Sequence, residues 1–277
     1  MYEALPEEKQ AVLKYALEHP TIRHRELSWR MIDADVAYLS ASTVYRILRE
    51  SDLMCRRSWR RKRYREELEK AQRADERWGS DLMQLRIGAG TYYFVAFIDE
   101  YSRYIVHWEL LDRMDGASVS LAAQAAVETL GRDASGRPAS SPEIRSDNGS
   151  GYISRDFHGV LEHYGLTHQR IKPHCPEENG IMERANRTVR EALEDREPRN
   201  RLEAERELGR IIEWYNGERL HSALGYLRPI DYYRGKPSEM HESRRRKLSQ
   251  ARHRRKEANL GLRQRTLPLE SPRDCPF

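Results

Sequence analysis

The chain has 277 residues, a hydrophobic share of 38%, and 49 Lys and Arg against 44 Asp and Glu, so its formal net charge is +5. This length suits one medium-sized domain with smaller attachments, and the hydrophobic share excludes a wholly disordered chain. The longest apolar run, residues 92–98, is too short to cross a bilayer, so no membrane association is expected. The first residues lack a basic patch followed by an apolar stretch, and we expect no secretory signal.

Three cysteines are spread over the chain, at Cys55, Cys175 and Cys275. An odd number at these distances indicates neither a disulfide framework nor a C-x-x-C metal knuckle. This cysteine usage predicts a protein of a reducing compartment.

Positive charge is concentrated in two segments. Residues 56–65 hold seven basic residues and no acid, and residues 241–277 hold eleven Lys and Arg with four acids. Each segment therefore carries +7, which leaves −9 on the other 230 residues. This segregation favours an acidic folded body with two arms that bind a polyanion, with nucleic acid as the leading partner. A pair of solvated linkers is the alternative.

Residues 6–52 have the pattern of a small helical unit. Pro6 suits the first turn of a helix, a second helix is predicted over 24–32, and a third follows a cap at Ser40 or Ser42. The short connection between the last two predicts a helix-turn-helix DNA-binding unit, and an ordinary three-helix bundle is the alternative. In the third helix the residues expected to face inward are Val44, Ile47 and Leu48. Those expected to meet DNA are Ser42, Thr43, Arg46 and Arg49.

A second pattern begins after the basic segment. Residues 78–87, 91–100 and 102–110 are rich in β-branched and aromatic residues and predict an antiparallel three-stranded meander. Further along the chain we predict helix 117–130, strand 142–147, helix 154–164, strand 167–171, and helices 177–197 and 202–214. Three strands followed by this alternation is the order of an α/β, RNase H-like fold.

Three carboxylates stand out by their settings in this order. Asp81 lies in the first strand, Asp147 ends the fourth, and Glu183 lies on the helix that follows the fifth. Each has an ordinary explanation: a surface strand residue, a hairpin turn in Asp-Asn-Gly, and a solvated helix residue. The predicted fold brings all three together, which favours a shared site.

The spacing of these acids resembles that of DDE transposases and retroviral-type integrases, since 35 residues separate Asp147 from Glu183. Two further segments carry the same resemblance. One is Trp214-Tyr215-Asn216 with Arg219, His221, Ala223-Leu224 and Pro229, and the other is Asp99 with Ser102-Arg103. Residues 20–235 are most similar to the second-reading-frame subunit of the insertion sequence three family.

The resemblance implies a DNA transposase, a polynucleotidyl transferase that cleaves mobile-element ends and transfers the strands. It implies that Asp81, Asp147 and Glu183 are catalytic and bind two Mg²⁺ or Mn²⁺ ions, which prefer oxygen ligands. The implied partners are terminal-repeat and target DNA, further copies of the chain, and in some relatives a DNA-binding subunit encoded upstream. The implied location is the bacterial cytoplasm, at the nucleoid. A catalytically silent DNA-binding regulator and an RNA-cleaving RNase H are the alternatives.

We also expect particular roles for individual residues and particular limits for the domains. Glu183, Asn186, Arg187 and Arg190 share one helix face. The resemblance implies that the basic members of this face hold terminal DNA phosphates, and a purely structural helix pair is the alternative. The expected DNA-binding residues are Arg46, Arg49, Arg56, Arg57, Arg60, Arg61, Lys62, Arg63, Arg187 and Arg190.

Asp99 is expected to make a turn hydrogen bond. Asn216, Arg219 and His221 are expected to have structural roles first and DNA contacts second, with Asn216 as a cap. The predicted domains are a helix-turn-helix domain (1–54), a basic linker (55–75), the catalytic core (76–235), and a basic tail (236–277) for which disorder without DNA is one option.

Overall fold

The computed structural model describes residues 3–54, 70–134, 137–171 and 179–266, with side chains up to 262. The chain forms two compact units, one from Met1–Arg61 with Pro237–Phe277 and one from Lys62–Lys236. No helix in the described ranges is both long and apolar enough to cross a membrane. Several predicted residues lie outside the described ranges: Arg56, Arg57, Arg60, Arg61, Lys62, Arg63, and the three cysteines.

The first unit contains the three predicted N-terminal helices. They are α1 (Pro6–Glu18), α2 (His24–Asp33) and α3 (Ala41–Glu50). Ser40, not Ser42, caps α3, because its Oγ accepts a hydrogen bond from the Thr43 amide at 3.3 Å. Val44, Ile47 and Leu48 are buried as predicted, against Val12 of α1 and Leu27 and Met31 of α2. The amphipathic pattern of α3 therefore defined its inner face correctly.

A long basic helix, α9 (Pro237–Thr266), completes this unit. Arg244 Nε donates to Asp33 Oδ1 at 2.8 Å, and Arg255 Nη1 donates to Glu8 Oε1 at 2.8 Å. Both arginine side chains are more than nine-tenths buried. This differs from the prediction of a separate basic tail with disorder as one option. The summed charge of the segment did not reveal that some of its arginines pair with acids more than 200 residues away.

The ion pair of Arg255 supplies a test of this packing. Arg255→Ala is expected to lower the local stability of the helical unit by about 2–3 kcal/mol, because Glu8 and the Tyr38 carbonyl lose a buried donor. Hydrogen exchange of the α1 and α9 amides should accelerate accordingly. Arg245→Ala, which removes an exposed arginine of the same helix, is the matched control. Equal protection in the two variants would contradict the contribution of Arg255.

The second unit is built on a five-stranded sheet. Its strands are β1 (Arg77–Ile87), β2 (Gly90–Asp99), β3 (Ile105–Leu111), β4 (Glu143–Ser146) and β5 (His168–Arg170). The strand order is β3-β2-β1-β4-β5. The first three strands are antiparallel, as the predicted meander requires, whereas β4 and β5 run parallel to β1. The predicted element order is confirmed.

Helices cover both faces of this sheet. The helices α4 (Gly116–Glu128) and α5 (Arg155–Tyr164) pack on one face, where Trp78 and Phe97 are fully buried. The helices α6 (Gly180–Glu194) and α7 (Arg201–Gly217) pack on the other face, and the short α8 (Pro229–Tyr233) follows. Because side chains alternate along a strand, β1 contributes to both cores.

Candidate active site

Two neighbouring parallel strands bring Asp81 and Asp147 together. Ser80 of β1 is paired in register with Ser146 of β4, and each aspartate is the next residue along its strand. Adjacent strands lie about 4.8 Å apart, and residues at equivalent positions point to the same face. Met83 of β1 belongs to the core formed with α6 and α7. The two aspartates therefore lie side by side beneath α6.

The serines before the two aspartates are fully buried and point to the opposite face. Ser80 Oγ lies 2.8 Å from Tyr152 Oη, and Ser146 Oγ lies 2.9 Å from His168 Nε2. Burial raises the pKa of Tyr152 well above its ordinary value, so the phenol stays neutral. These hydrogen bonds fix both strands directly behind the carboxylates.

The Asp-Asn-Gly sequence after β4 forms a loop that leads to α5, not a hairpin turn. The Gly149 amide donates to Asp147 Oδ1 at 2.9 Å, and Asn148 Nδ2 donates to the Ile171 carbonyl at 3.0 Å. A Cβ at position 149 would lie 2.9 Å from the same Asp147 oxygen, so any larger residue there would displace this carboxylate. The loop holds the Asp147 carboxylate in one orientation.

Asp81 is held by α6 and is strongly affected by its surroundings. Asn186 Nδ2 donates to Asp81 Oδ2 at 3.0 Å, and the Leu82 amide donates to Oδ1 at 2.9 Å. Burial, and then the charge of Asp147, raise the pKa of Asp81 to about 6 despite these hydrogen bonds. Two anionic carboxylates at this position therefore repel each other in the absence of a cation.

Glu183, the third carboxylate of the predicted site, lies in the first turn of α6, and its side chain is exposed to solvent. The preceding Met182 packs against Gly79 of β1, where a Cβ would lie 3.1 Å from Met182 Cγ. This contact lets the start of α6 approach the strand that carries Asp81. Within the described ranges, however, no three His, Cys, Asp or Glu side chains are grouped closely enough to hold a metal ion together.

The residues present fit a divalent cation in their chemistry. Asp81 and Asp147 offer hard oxygen ligands, which Mg²⁺ and Mn²⁺ prefer. The buried Asn186 Oδ1 has no hydrogen-bond partner among the described residues, and it belongs to the side chain that binds Asp81. An unpaired oxygen acceptor beside repelling carboxylates suits a hydrated cation.

The sequence of the chain matches a known protein family and is similar to known transposases. Two family models described as integrase core domain match residues 71–176 and 164–229. The transposase of insertion sequence element IS904 from Lactococcus lactis subsp. lactis (strain IL1403) is 30% identical over 59% of this chain and 63% of the relative. InsD, named as a transposase of insertion element IS2E from Escherichia coli (strain K12), is 30% identical over 71% of this chain and 92% of InsD. The chain belongs to the insertion-sequence transposases.

The membership of the chain in the insertion-sequence transposases agrees with its fold. A chain of the simian T-cell lymphotropic virus intasome, solved in complex with PP2A regulatory subunit B56 gamma, is similar with a TM-score of 0.54. The similarity covers 82% of this chain and 75% of the other at 15% identity, so it concerns the fold alone. It confirms the predicted RNase H-like core. The chain spans less than two thirds of the length of the IS904 transposase.

The predicted DNA-contacting arginines within the described ranges are exposed. Arg46 and Arg49 lie on the outer side of α3, and Arg187 and Arg190 lie on α6 after Glu183. Their exposure is compatible with phosphate binding and also with an ordinary solvated helix surface. Their role as DNA contacts stays a prediction.

The two further segments that carry the transposase resemblance, around Asp99 and around Asn216, have structural roles. Asp99 is fully buried, and its Oδ2 accepts from the Ser102 amide at 2.7 Å while its Oδ1 accepts from the Asp75 amide at 2.9 Å. The predicted turn hydrogen bond is confirmed. Asn216 does not cap a helix: its Oδ1 accepts from the Ile105 amide at 2.9 Å and its Nδ2 donates to the Ile105 carbonyl at 3.0 Å. It joins the end of α7 to the start of β3.

Asn216→Ala is expected to destabilise the transposase core by about 2–4 kcal/mol, because both backbone groups of buried Ile105 lose their partner. Urea unfolding followed by circular dichroism measures this loss. Asn200→Ala removes an N-cap on the exposed end of the same helix and is expected to cost only about 1 kcal/mol. A loss no larger than that of Asn200→Ala would show that Asn216 is dispensable for packing.

The side chains that support the two aspartates were not predicted from the sequence. The hydrogen bond from Asn186 to Asp81 and the partners of Ser80 and Ser146 involve residues 22 to 105 positions apart. One local signal was available, since a serine directly precedes each aspartate. Because side chains alternate along a strand, a serine directly before each aspartate is expected to point to the opposite face of the sheet.

Proposed function

We propose that this chain is a metal-dependent DNA transposase that cleaves the ends of a mobile element and joins them to target DNA. The observation that carries the proposal is that Asp81 of β1 and Asp147, directly after the parallel strand β4, lie side by side, where burial, and then the charge of Asp147, raise the pKa of Asp81. Such a pair is unfavourable unless a cation binds it. Membership in the insertion-sequence transposases supports DNA as the substrate.

In this proposal Asp81, Asp147 and Glu183 are the catalytic carboxylates and bind two Mg²⁺ or Mn²⁺ ions. When bound, the ions activate water or a DNA 3′-hydroxyl and stabilise the leaving oxygen. The protein positions the ligands: the Gly149 amide orients Asp147, and Asn186 orients Asp81. Glu183 joins them from the first turn of α6, which requires local adjustment because no three such side chains are grouped closely enough within the described ranges.

The proposed DNA contacts are made by exposed basic residues of each unit and by the basic linker. Phosphate contacts by these residues would supply affinity that falls steeply with salt, and α3 would add sequence preference. Terminal-repeat DNA, target DNA and further copies of the chain are the proposed partners, with an upstream-frame subunit as an additional one. Because the relatives come from bacteria, the proposed site of action is nucleoid DNA in the cytoplasm.

A strand-transfer assay tests the proposal. Labelled duplexes that carry the inverted repeats flanking the gene are incubated with the protein and a supercoiled target, with Mg²⁺, Mn²⁺ or a chelator. Joined products that need the divalent ion are the expected result. Salt-sensitive binding without nicking or joining under any metal condition would contradict catalysis and indicate a DNA-binding regulator. Cleavage restricted to RNA–DNA hybrids would instead indicate an RNase H.

A further inference from the structure

Two segments of the sequence pattern meet in the folded core, away from the catalytic aspartates. Asp99, Ser102 and Arg103 form the turn between β2 and β3, while Arg219 and His221 follow α7. Charge interactions link Arg103 with both Tyr215 and His221. Residues more than 110 positions apart in the chain therefore form one cluster. The carboxylate chemistry described above uses none of these side chains.

Arg103 has an unusual backbone conformation for its residue type. Its φ is 64°, in the left-handed region where glycine, asparagine and aspartate are the common residues. The turn enforces this conformation, because the Arg103 amide donates to the Asp99 carbonyl at 2.8 Å and the Asp99 carboxylate holds Ser102. Strained residues persist where the surrounding structure determines them, and they cluster at functional sites. The strain here directs a guanidinium into the protein.

The guanidinium of Arg103 is incompletely satisfied. Its Nη1 is buried and has no hydrogen-bond partner within the described part of the chain. The nearest acid along the chain, Glu100, already binds Arg145 at 3.2 Å and Arg77 at 3.8 Å. The two oxygens of Asp99 accept from Ser102 and Asp75. The charges of Glu100 and Asp99 act favourably on Arg103, but its buried Nη1 donor has no acceptor within the described part of the chain, which is costly and indicates a ligand rather than a packing role.

Two more arginines join Arg103 around the same aromatic residues. Arg219 lies over the Tyr215 ring, 5.6 Å from its centroid, and its Nη1 lies 3.1 Å from His221 Nε2. Arg184 of α6 is the third positive charge acting on Tyr215 and His221. Burial, followed by these three arginines, lowers the pKa of His221 to about 3, so the imidazole is neutral and adds no charge. Three arginine charges therefore act on these two neutral rings, and Arg184 among them is exposed to solvent.

We propose that Arg103, Arg184 and Arg219 form a binding site for a phosphodiester group of the DNA substrate. This inference rests on the proposed function, because that function supplies DNA as the ligand. Guanidinium groups donate paired N–H bonds that match phosphate oxygens, and three of them around one anion relieve their own repulsion. Arg184 follows Glu183 and is turned about 100° from it around the helix axis. The site is therefore connected to the catalytic carboxylates through α6, which carries both Glu183 and Arg184.

The binding test uses the full-length chain and a labelled duplex with the terminal sequence, without divalent metal. Arg103→Gln and Arg219→Gln are each expected to weaken binding about fivefold to tenfold and to reduce the slope of log affinity against log salt by about one. The matched control is Arg210→Gln, which removes an exposed arginine of α7 that pairs with Glu207. Wild-type affinity and slope in both cluster variants would overturn the inference. If the wild type joins DNA ends in the strand-transfer assay, the proposed function survives that result.

A second measurement separates phosphate binding from a purely structural role. Inorganic phosphate is expected to raise the Tm of the wild type more than chloride of equal ionic strength. Phosphate also stabilises proteins generally because it is excluded from their surface. Arg103→Gln should therefore reduce this difference without abolishing it, and Arg103→Lys should restore part of the loss because a point charge remains. Equal phosphate stabilisation in wild type and Arg103→Gln would overturn the site, even if the variant is less stable. A wild type that neither binds DNA nor responds to phosphate would overturn both proposals together.

Discussion

Asp147→Asn and Glu183→Gln are each expected to reduce strand transfer by about a thousandfold or more, because each removes an anionic ligand from metal ions that supply several kcal/mol of transition-state stabilisation. The loss should appear in the joining rate at saturating DNA, and not in DNA affinity. Rates measured in Mg²⁺ and in Mn²⁺ with the labelled terminal duplex give this comparison.

Both substitutions should leave the fold intact. Asp147 is half-buried and Glu183 is exposed, so neither side chain supports the hydrophobic core. Glu191→Gln is the matched control, since Glu191 is a second exposed glutamate of α6, and it should retain the wild-type joining rate. If Glu183→Gln behaves like Glu191→Gln, Glu183 is not a metal ligand, and the exposed position that it occupies in the structure is also its position in the active protein.

Asp81→Asn is expected to abolish joining and at the same time to stabilise the metal-free protein at neutral pH. Burial and Asp147 raise the pKa of Asp81 from 3.8 to about 6. The folded state therefore binds this proton more tightly than the unfolded state, and the stability it contributes is lost as the pH rises through 6. At neutral pH the cost is about 3 kcal/mol, which corresponds to about 6–12 °C in Tm for a unit of this size.

Thermal unfolding at several pH values measures this effect. The Tm advantage of Asp81→Asn should be small below pH 4 and complete above pH 7, and Mg²⁺ should remove it by stabilising only the wild type. The unpaired Asn186 Oδ1 can accept from the new amide, so the contact with α6 is retained. Glu213→Gln, an exposed site on α7, is the control. An advantage that is independent of pH would rule out carboxylate repulsion as its cause.

Local sequence patterns were sufficient for most of the fold. Alternating β-branched and aromatic residues located β1 to β3, and the Ser40 cap and apolar spacing located α3. The predicted fold also indicated that Asp81, in the first strand, and Asp147, at the end of the fourth, lie close together, as the register of these strands now shows. These features depend on hydrogen bonds and side-chain periods within a few residues, which the sequence displays directly.

The cooperation between distant side chains did not follow from those patterns. The packing of α9 on the helical unit depends on ion pairs of Arg244 with Asp33 and of Arg255 with Glu8, although the summed charge favoured an arm that binds a polyanion. The link from Asn216 to Ile105 and the arginine cluster likewise join segments more than 100 residues apart. Charge sums and motifs contain no information about which partner a side chain meets.

The sequence by itself determined the order of elements, and it predicted which three carboxylates form the site and which family they indicate. Each of these is encoded in spacing or in local residue type. Only the tertiary structure decided the state of those residues. Burial and the proximity of Asp147 set the pKa of Asp81, and packing left Glu183 exposed and Arg103 with a buried, unpaired donor. Desolvation and pairing energies depend on distance in the folded chain, and separation along the sequence does not specify that distance.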